Sequence, residues 1–173
     1  MSNPIVVNII RFVVLLLLQG LFLKRISDGW DGWFYVHVIL YPLFILLLPL
    51  RTPRVAVLLL SFALGLGVDL FYGTLGIHTA ATTFMGYARA YILNILEPRE
   101  GYNVNYSPTA KRMGMAWFVR YAAVMMGLHL LAYYSVDAFS PVFILDILLK
   151  AAFSFLLSMA LLIMATYIFN PQD

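Results

Sequence analysis

The sequence predicts an all-α polytopic membrane protein, a single domain over residues 1–173 built as a bundle of six membrane-crossing helices. Three observations predict it. Hydrophobic residues make up 63% of the chain and charged residues 11%, against about 45–50% and about 25% in a soluble domain. Six long apolar runs follow one another, each close to the roughly 20 residues that a helix needs to cross a bilayer. The segments between them are short and polar. This composition excludes a soluble globular domain and a disordered chain. The chain has no cysteine, which removes disulfides, thiolate metal sites and cysteine nucleophiles. The net charge of +3 reads as basic loops on one side of a membrane, not as affinity for nucleic acid.

The runs cover residues 5–23, 34–50, 55–72, 75–96, 113–134 and 142–169. The first lacks the cleavage pattern of a signal peptide and is expected to stay as a helix. The second is short and holds Pro42 and Pro49. A kink is expected at Pro42, and Pro49 is expected to end the helix. Lysine and arginine counts set the orientation. With the N-terminus in the cytoplasm, the inner loops carry Arg51, Arg54, Arg99, Lys111 and Arg112, and the outer loops only Lys24 and Arg25. Both termini are therefore expected in the cytoplasm. Trp30, Trp33, Tyr35, Trp117, Tyr133 and Tyr134 fall near run ends, as an interfacial aromatic belt would. The loop 97–112 reads as an exposed cytoplasmic connector or a docking strip.

Ionisable groups inside a bilayer are costly and mark interior faces or wet cavities. In the sixth run, Asp146, Lys150, Ser154 and Ser158 recur every fourth residue and make one polar stripe. Asp146 is expected to pair with Lys150. The serines are expected to serve close helix packing, or the stripe to face a cavity or a partner helix. In the third run Ser61, Gly65, Asp69 and Gly73 share the same spacing, a small-residue seam that buries Asp69 between helices. The brief link around Gly73 and Gly76 makes the third and fourth runs a tight hairpin and brings Asp69 near His78. An Asp69–His78 hydrogen bond across it is one expectation, and an interfacial His78 the other. Thr82 and Arg89 share the His78 face, with Arg89 too far along the helix to reach Asp69. Arg120 is placed to reach the cytoplasmic interface, and His129 lies deep in the fifth run.

No recognisable catalytic or metal-binding arrangement is present. The chain has no H-E-x-x-H, no G-x-S-x-G and no P-loop. An intramembrane aspartyl protease needs two carboxylates that share a proton, and Asp146 is assigned to Lys150. The expectation is a protein without enzymatic activity, cofactor or metal.

The hairpin stretch FALGLGVDLFYGTLGIH, residues 62–78, resembles the signature region of the bacterial rod shape-determining MreD family. The matching positions are Gly65, Asp69, Gly73 and Gly76, with small residues following from Thr79 to Ala81. Size and hydropathy agree over nearly the whole chain, but only the hairpin is specific. The resemblance implies a non-catalytic inner-membrane component of the cell-wall elongation complex. It implies a bitopic MreC-like partner, an influence on a RodA-type polymerase and its penicillin-binding transpeptidase, and indirect coordination with MreB. It also implies a fold shared with the S components of energy-coupling factor transporters, so a vitamin-binding S component is the alternative function. S components dock through an Ala-x-x-x-Ala face on their first helix, and residues 5–23 contain no alanine.

Overall fold

A computed structural model describes residues 4–28 and 36–169, and every regular element in them is helical. The first helix, α1, runs Pro4–Leu17, passes through a π-helical turn at Leu18–Leu23 and ends as Lys24–Asp28. A short α2 covers Leu43–Leu47. The long helices α3 (Arg54–Tyr72) and α4 (Ile77–Ile95) form the hairpin. A four-residue α5 (Ala110–Met113) leads into α6 (Met115–Ala138). A 3₁₀ turn at Pro141–Phe143 then opens α7 (Ile144–Phe169). Packing runs along the chain: α3 lies along α4, α4 along α6, and α6 along α7.

Four helical stretches among the described residues are long and apolar enough to cross a membrane: Ile5–Ile26, Arg54–Tyr72, Met115–Ala138 and Pro141–Phe169. These mark a membrane protein by length and composition. Two of the six expected helices are not among these four. The fourth run folds as a 19-residue helix, α4, but its histidine, threonines, asparagine and arginine keep its hydropathy below that of a spanning helix.

The second run is not a spanning helix. Residues 36–40 have no regular structure, and only Leu43–Leu47 coil into a helix. Pro42 is the local cause. Its ring would meet the carbonyl four residues back, and it disfavours helical geometry at Tyr41. The expected kink is thus a complete loss of helix before Pro42. Past the short helix, Leu48 turns to ψ 140° ahead of Pro49, so the helix ends at Leu47, two residues before that proline. From Ile39 to Leu48 the side chains are almost wholly buried. This segment runs through the middle of the bundle. The His37 amide lies against α6 and α7, and the Leu50 amide donates to the Tyr106 carbonyl at the other end.

The turn between α3 and α4 is set by glycine. Gly73 (φ 69°) closes α3 by donating its N–H to the Asp69 carbonyl at 2.8 Å, and Gly76 (φ 90°) starts α4. Both angles lie in the left-handed region that glycine enters without strain. Phe139 (φ 46°) holds the same region at the end of α6 with a side chain attached.

The expected aromatic belt is also corrected. Trp117, Tyr133 and Tyr134 are buried. The Trp117 indole donates to the Leu96 carbonyl at 2.7 Å and stacks on Tyr121. Trp30, Trp33 and Tyr35 lie outside the described residues.

Candidate functional site

Two polar clusters and a buried arginine are the chain's candidate functional groups, and all of them hold backbone in place. The first cluster is the hairpin knuckle. The initial N–H groups of a helix have no partner within the helix and attract negative charge. Gly76 offers α4 no capping side chain. Asp69 supplies the cap from the preceding helix. Its Oδ1 accepts the His78 amide at 3.0 Å, and its Oδ2 accepts the Thr79 amide at 2.9 Å. The Thr79 hydroxyl donates to Oδ2 at 2.5 Å, and the Thr74 hydroxyl donates to Oδ1. Four donors thus converge on one carboxylate. Gly65 makes the approach possible. A Cβ there would lie 2.5 Å from the Thr79 Cα and 2.8 Å from the His78 carbonyl oxygen.

Asp69 and His78 do meet, but through the His78 backbone. The imidazole faces the other way, into the second cluster. Tyr41 brings its hydroxyl to 3.1 Å from His78 Nδ1, 3.0 Å from His129 Nε2 and 3.2 Å from the Thr82 hydroxyl. Thr82 also donates to the His78 carbonyl at 2.6 Å. A tyrosine has one proton to donate. At most one imidazole can therefore accept that proton, so at least one of the two presents an N–H to Tyr41. The His78 ring lies between Tyr72 and Tyr133, with centroids 4.6 Å and 4.8 Å away, and its Nε2 makes no hydrogen bond among the described residues. Tyr41, His78, His129 and Thr82 are fully buried. They pin the broken segment to α4 and α6.

The polar stripe of α7 serves the same segment. Ser154 Oγ accepts the His37 amide at 3.1 Å, and Ser158 Oγ accepts the Ile39 amide at 2.9 Å. Buried backbone outside a helix needs partners from elsewhere in the chain, and these serines supply them. The charged half of the stripe behaves differently from expectation. Among the described residues no ion pair joins Asp146 to Lys150. Asp146 is exposed in the first turn of α7, and both residues line a cavity of about 250 Å³ with Tyr134 and Asp137.

Gln19 was not singled out by the sequence. It sits in the π-helical turn of α1, fully buried. Its amide donates to the Val38 carbonyl at 3.0 Å and to the Tyr72 hydroxyl at 2.8 Å, and its oxygen accepts the Leu40 amide at 2.9 Å. Tyr41 was missed as well. For Gln19 the available signal was a lone amide inside an apolar run. For Tyr41 there was none, because a tyrosine before a proline is unremarkable.

Arg89 is 3% exposed. Its Nη2 donates to the Leu48 carbonyl at 2.5 Å and its Nε to the Tyr121 hydroxyl at 3.2 Å. It thereby caps the C-terminal end of α2, where a positive charge is favoured. Arg120 is exposed and bonds only its own helix, at the Ala116 carbonyl. The loop 97–112 is fixed rather than slack. Tyr102 donates to the Leu93 carbonyl at 2.7 Å, the Arg51 amide donates to the Val104 carbonyl, and the Arg112 guanidinium lies 4.0 Å from the Tyr106 ring centre. Burial, with Glu97 nearby, pushes the Tyr102 phenol up to about 12, so it stays a donor.

The small-residue seam of α3 is occupied inside the hairpin. Gly65 meets Thr79, and Ser61 lies against Gly86. Among the described residues no group of histidines and carboxylates is placed to hold a metal ion. Compared with known proteins, this chain matches no family model, no curated protein and no solved structure.

Proposed function

We propose that this chain is a non-catalytic membrane component of the bacterial cell-wall elongation machinery, of the MreD kind, acting as a rigid partner for a bitopic MreC-like protein. One observation carries the reading. Each motif position that resembles the MreD signature has an architectural role. Asp69 caps α4, Gly65 admits the Thr79 backbone, and Gly73 and Gly76 form the turn. A motif spent wholly on shape suits a scaffold better than a reaction centre.

The alternative, a vitamin-binding S component, draws less support. Residues 39–48 fill the middle of the bundle with the chain's own buried side chains. In this reading the broken segment and α4 complete six crossings. The end bearing Arg51, Arg54 and the loop 97–112 faces the cytoplasm, in the inner membrane. The docking face for the partner helix is then drawn from the exposed apolar sides of α1 and α7, since the α3 seam is already filled.

The test is affinity purification of the tagged chain from its native membrane. Recovery of an MreC-like protein with a RodA-type polymerase or its transpeptidase is the expected result, and depletion should round the cells. Recovery of transporter ATPases would replace this reading with solute uptake. Recovery of the chain alone, with normal cell shape on depletion, would overturn it.

A further inference from the structure

A cavity of about 700 Å³ opens beside Arg89, between α3, α4 and the start of the loop that follows α4. Its polar wall carries Arg89, Arg54 and Asn94, and Val57, Leu58 and Leu93 make an apolar wall. Arg89 is nearly fully buried, yet its partners are neutral: a carbonyl and a phenol. Neither of these bonds uses its Nη1. Glu97 also lines the cavity, but among the described residues it pairs with neither arginine. A buried guanidinium without a carboxylate is costly, because desolvation is not offset by an opposite charge. Capping α2 explains one of its bonds and Tyr121 takes the other. Neither explains a second arginine on the same cavity, nor the donors left over.

We propose that this cavity binds a phosphate group, with Arg89 and Arg54 as its charged contacts. The guanidinium fork suits phosphate oxygens, and charge-assisted bonds of this kind are among the stronger ones a protein makes. The apolar wall beside the arginines fits an amphiphile whose phosphate sits at the polar end. The cavity lies at the end of the bundle that carries Arg51, Arg54 and the basic loop, where lipid headgroups and soluble phosphoesters both have access. The inference is independent of the cell-wall reading.

The test uses the full chain purified in detergent, with dioleoylphosphatidylglycerol, headgroup-free dioleoylglycerol and pyrophosphate as separate probes. Native mass spectrometry counts retained lipid, and melting temperature reports the soluble anion. Retention of phosphatidylglycerol but not dioleoylglycerol, reduced at least fivefold by Arg54→Gln, supports a lipid phosphate. A rise in melting temperature with pyrophosphate, absent in Arg54→Gln, supports a soluble phosphoester. Arg54 is exposed and starts α3, so its variant reads binding with little disturbance of the core. Arg89→Lys keeps the charge but loses the fork, and is expected to weaken either probe. Binding of neither probe, or binding unchanged in both variants, overturns the proposal.

Discussion

The Ser158 hydroxyl accepts the amide proton of Ile39 at 2.9 Å, across 119 positions of chain. Ser154 stands one turn earlier on α7 and does the same for His37. Together they turn the side of one helix into a strip of acceptors for a chain that has no helix of its own. Replacing Ser158 with alanine leaves the Ile39 N–H buried and unpartnered, at a cost of about 1–3 kcal/mol. Hydrogen exchange at the Ile39 amide should speed up in Ser158→Ala while protection along α3 and α4 stays at the wild-type level. Wild-type protection at Ile39 would refute the assignment.

Gln19 makes three bonds to the segment and to Tyr72. Gln19→Leu keeps the approximate volume and loses all three. The Leu40 amide then loses its acceptor, and the Val38 carbonyl and the Tyr72 hydroxyl each lose a donor. The expected loss is about 3 kcal/mol, or a fall of roughly 6–12 °C in melting temperature for a chain of this size. A thermal melt in detergent measures it.

Asp69→Ala should lower stability by about 2–3 kcal/mol, because it uncaps α4 and strands buried donors. Asp69→Asn should recover little of that. Its amide can accept at one atom only, and its NH₂ would face the amides of α4 as a second donor. A melting curve for Asp69→Asn that overlays the wild type would remove the carboxylate from the account.

The glycines separate two kinds of constraint. At Gly73 an added Cβ meets nothing, so Gly73→Ala costs only left-handed strain, about 1–2 kcal/mol. At Gly65 the Cβ would collide with the backbone of Thr79, which cannot swing aside as a side chain can. Gly65→Ala should therefore be the more damaging, by more than about 2 kcal/mol, and should splay α3 from α4. The order of the two melting temperatures is the check.

Phe139 is a left-handed residue with a side chain, and it is 92% exposed. Phe139→Gly relieves the strain and should raise stability by about 1 kcal/mol. A lower melting temperature would mean that Phe139 contributes contacts outside this chain, for instance with lipid.

The sequence made the apolar helices legible because a bilayer demands long uniform runs. The hairpin was legible because glycine and aspartate mark turns by their own chemistry. The burial of Asp69 and its nearness to His78 were readable. The partner atom was not, since spacing cannot tell a ring from a backbone amide. The second run misled because its composition is that of a helix, while Pro42 and distant acceptors decide its conformation. Ser154 and Ser158 formed a visible stripe without a visible purpose. Their purpose lies in residues more than a hundred positions earlier, and no local period reports that. Trp117, Tyr133 and Tyr134 were placed at an interface by their position in the runs, but their rings and polar tips found partners inside.

The broken segment also sets an order of manufacture. His37 and Ile39 leave the ribosome long before Ser154 and Ser158 exist, so these two amides cannot find their native acceptors while the first half of the protein is being made, whereas the Leu40 amide already has Gln19. A nascent chain stopped after α6 would hold this segment through Gln19, His78 and His129 but would lack the two serine acceptors of α7.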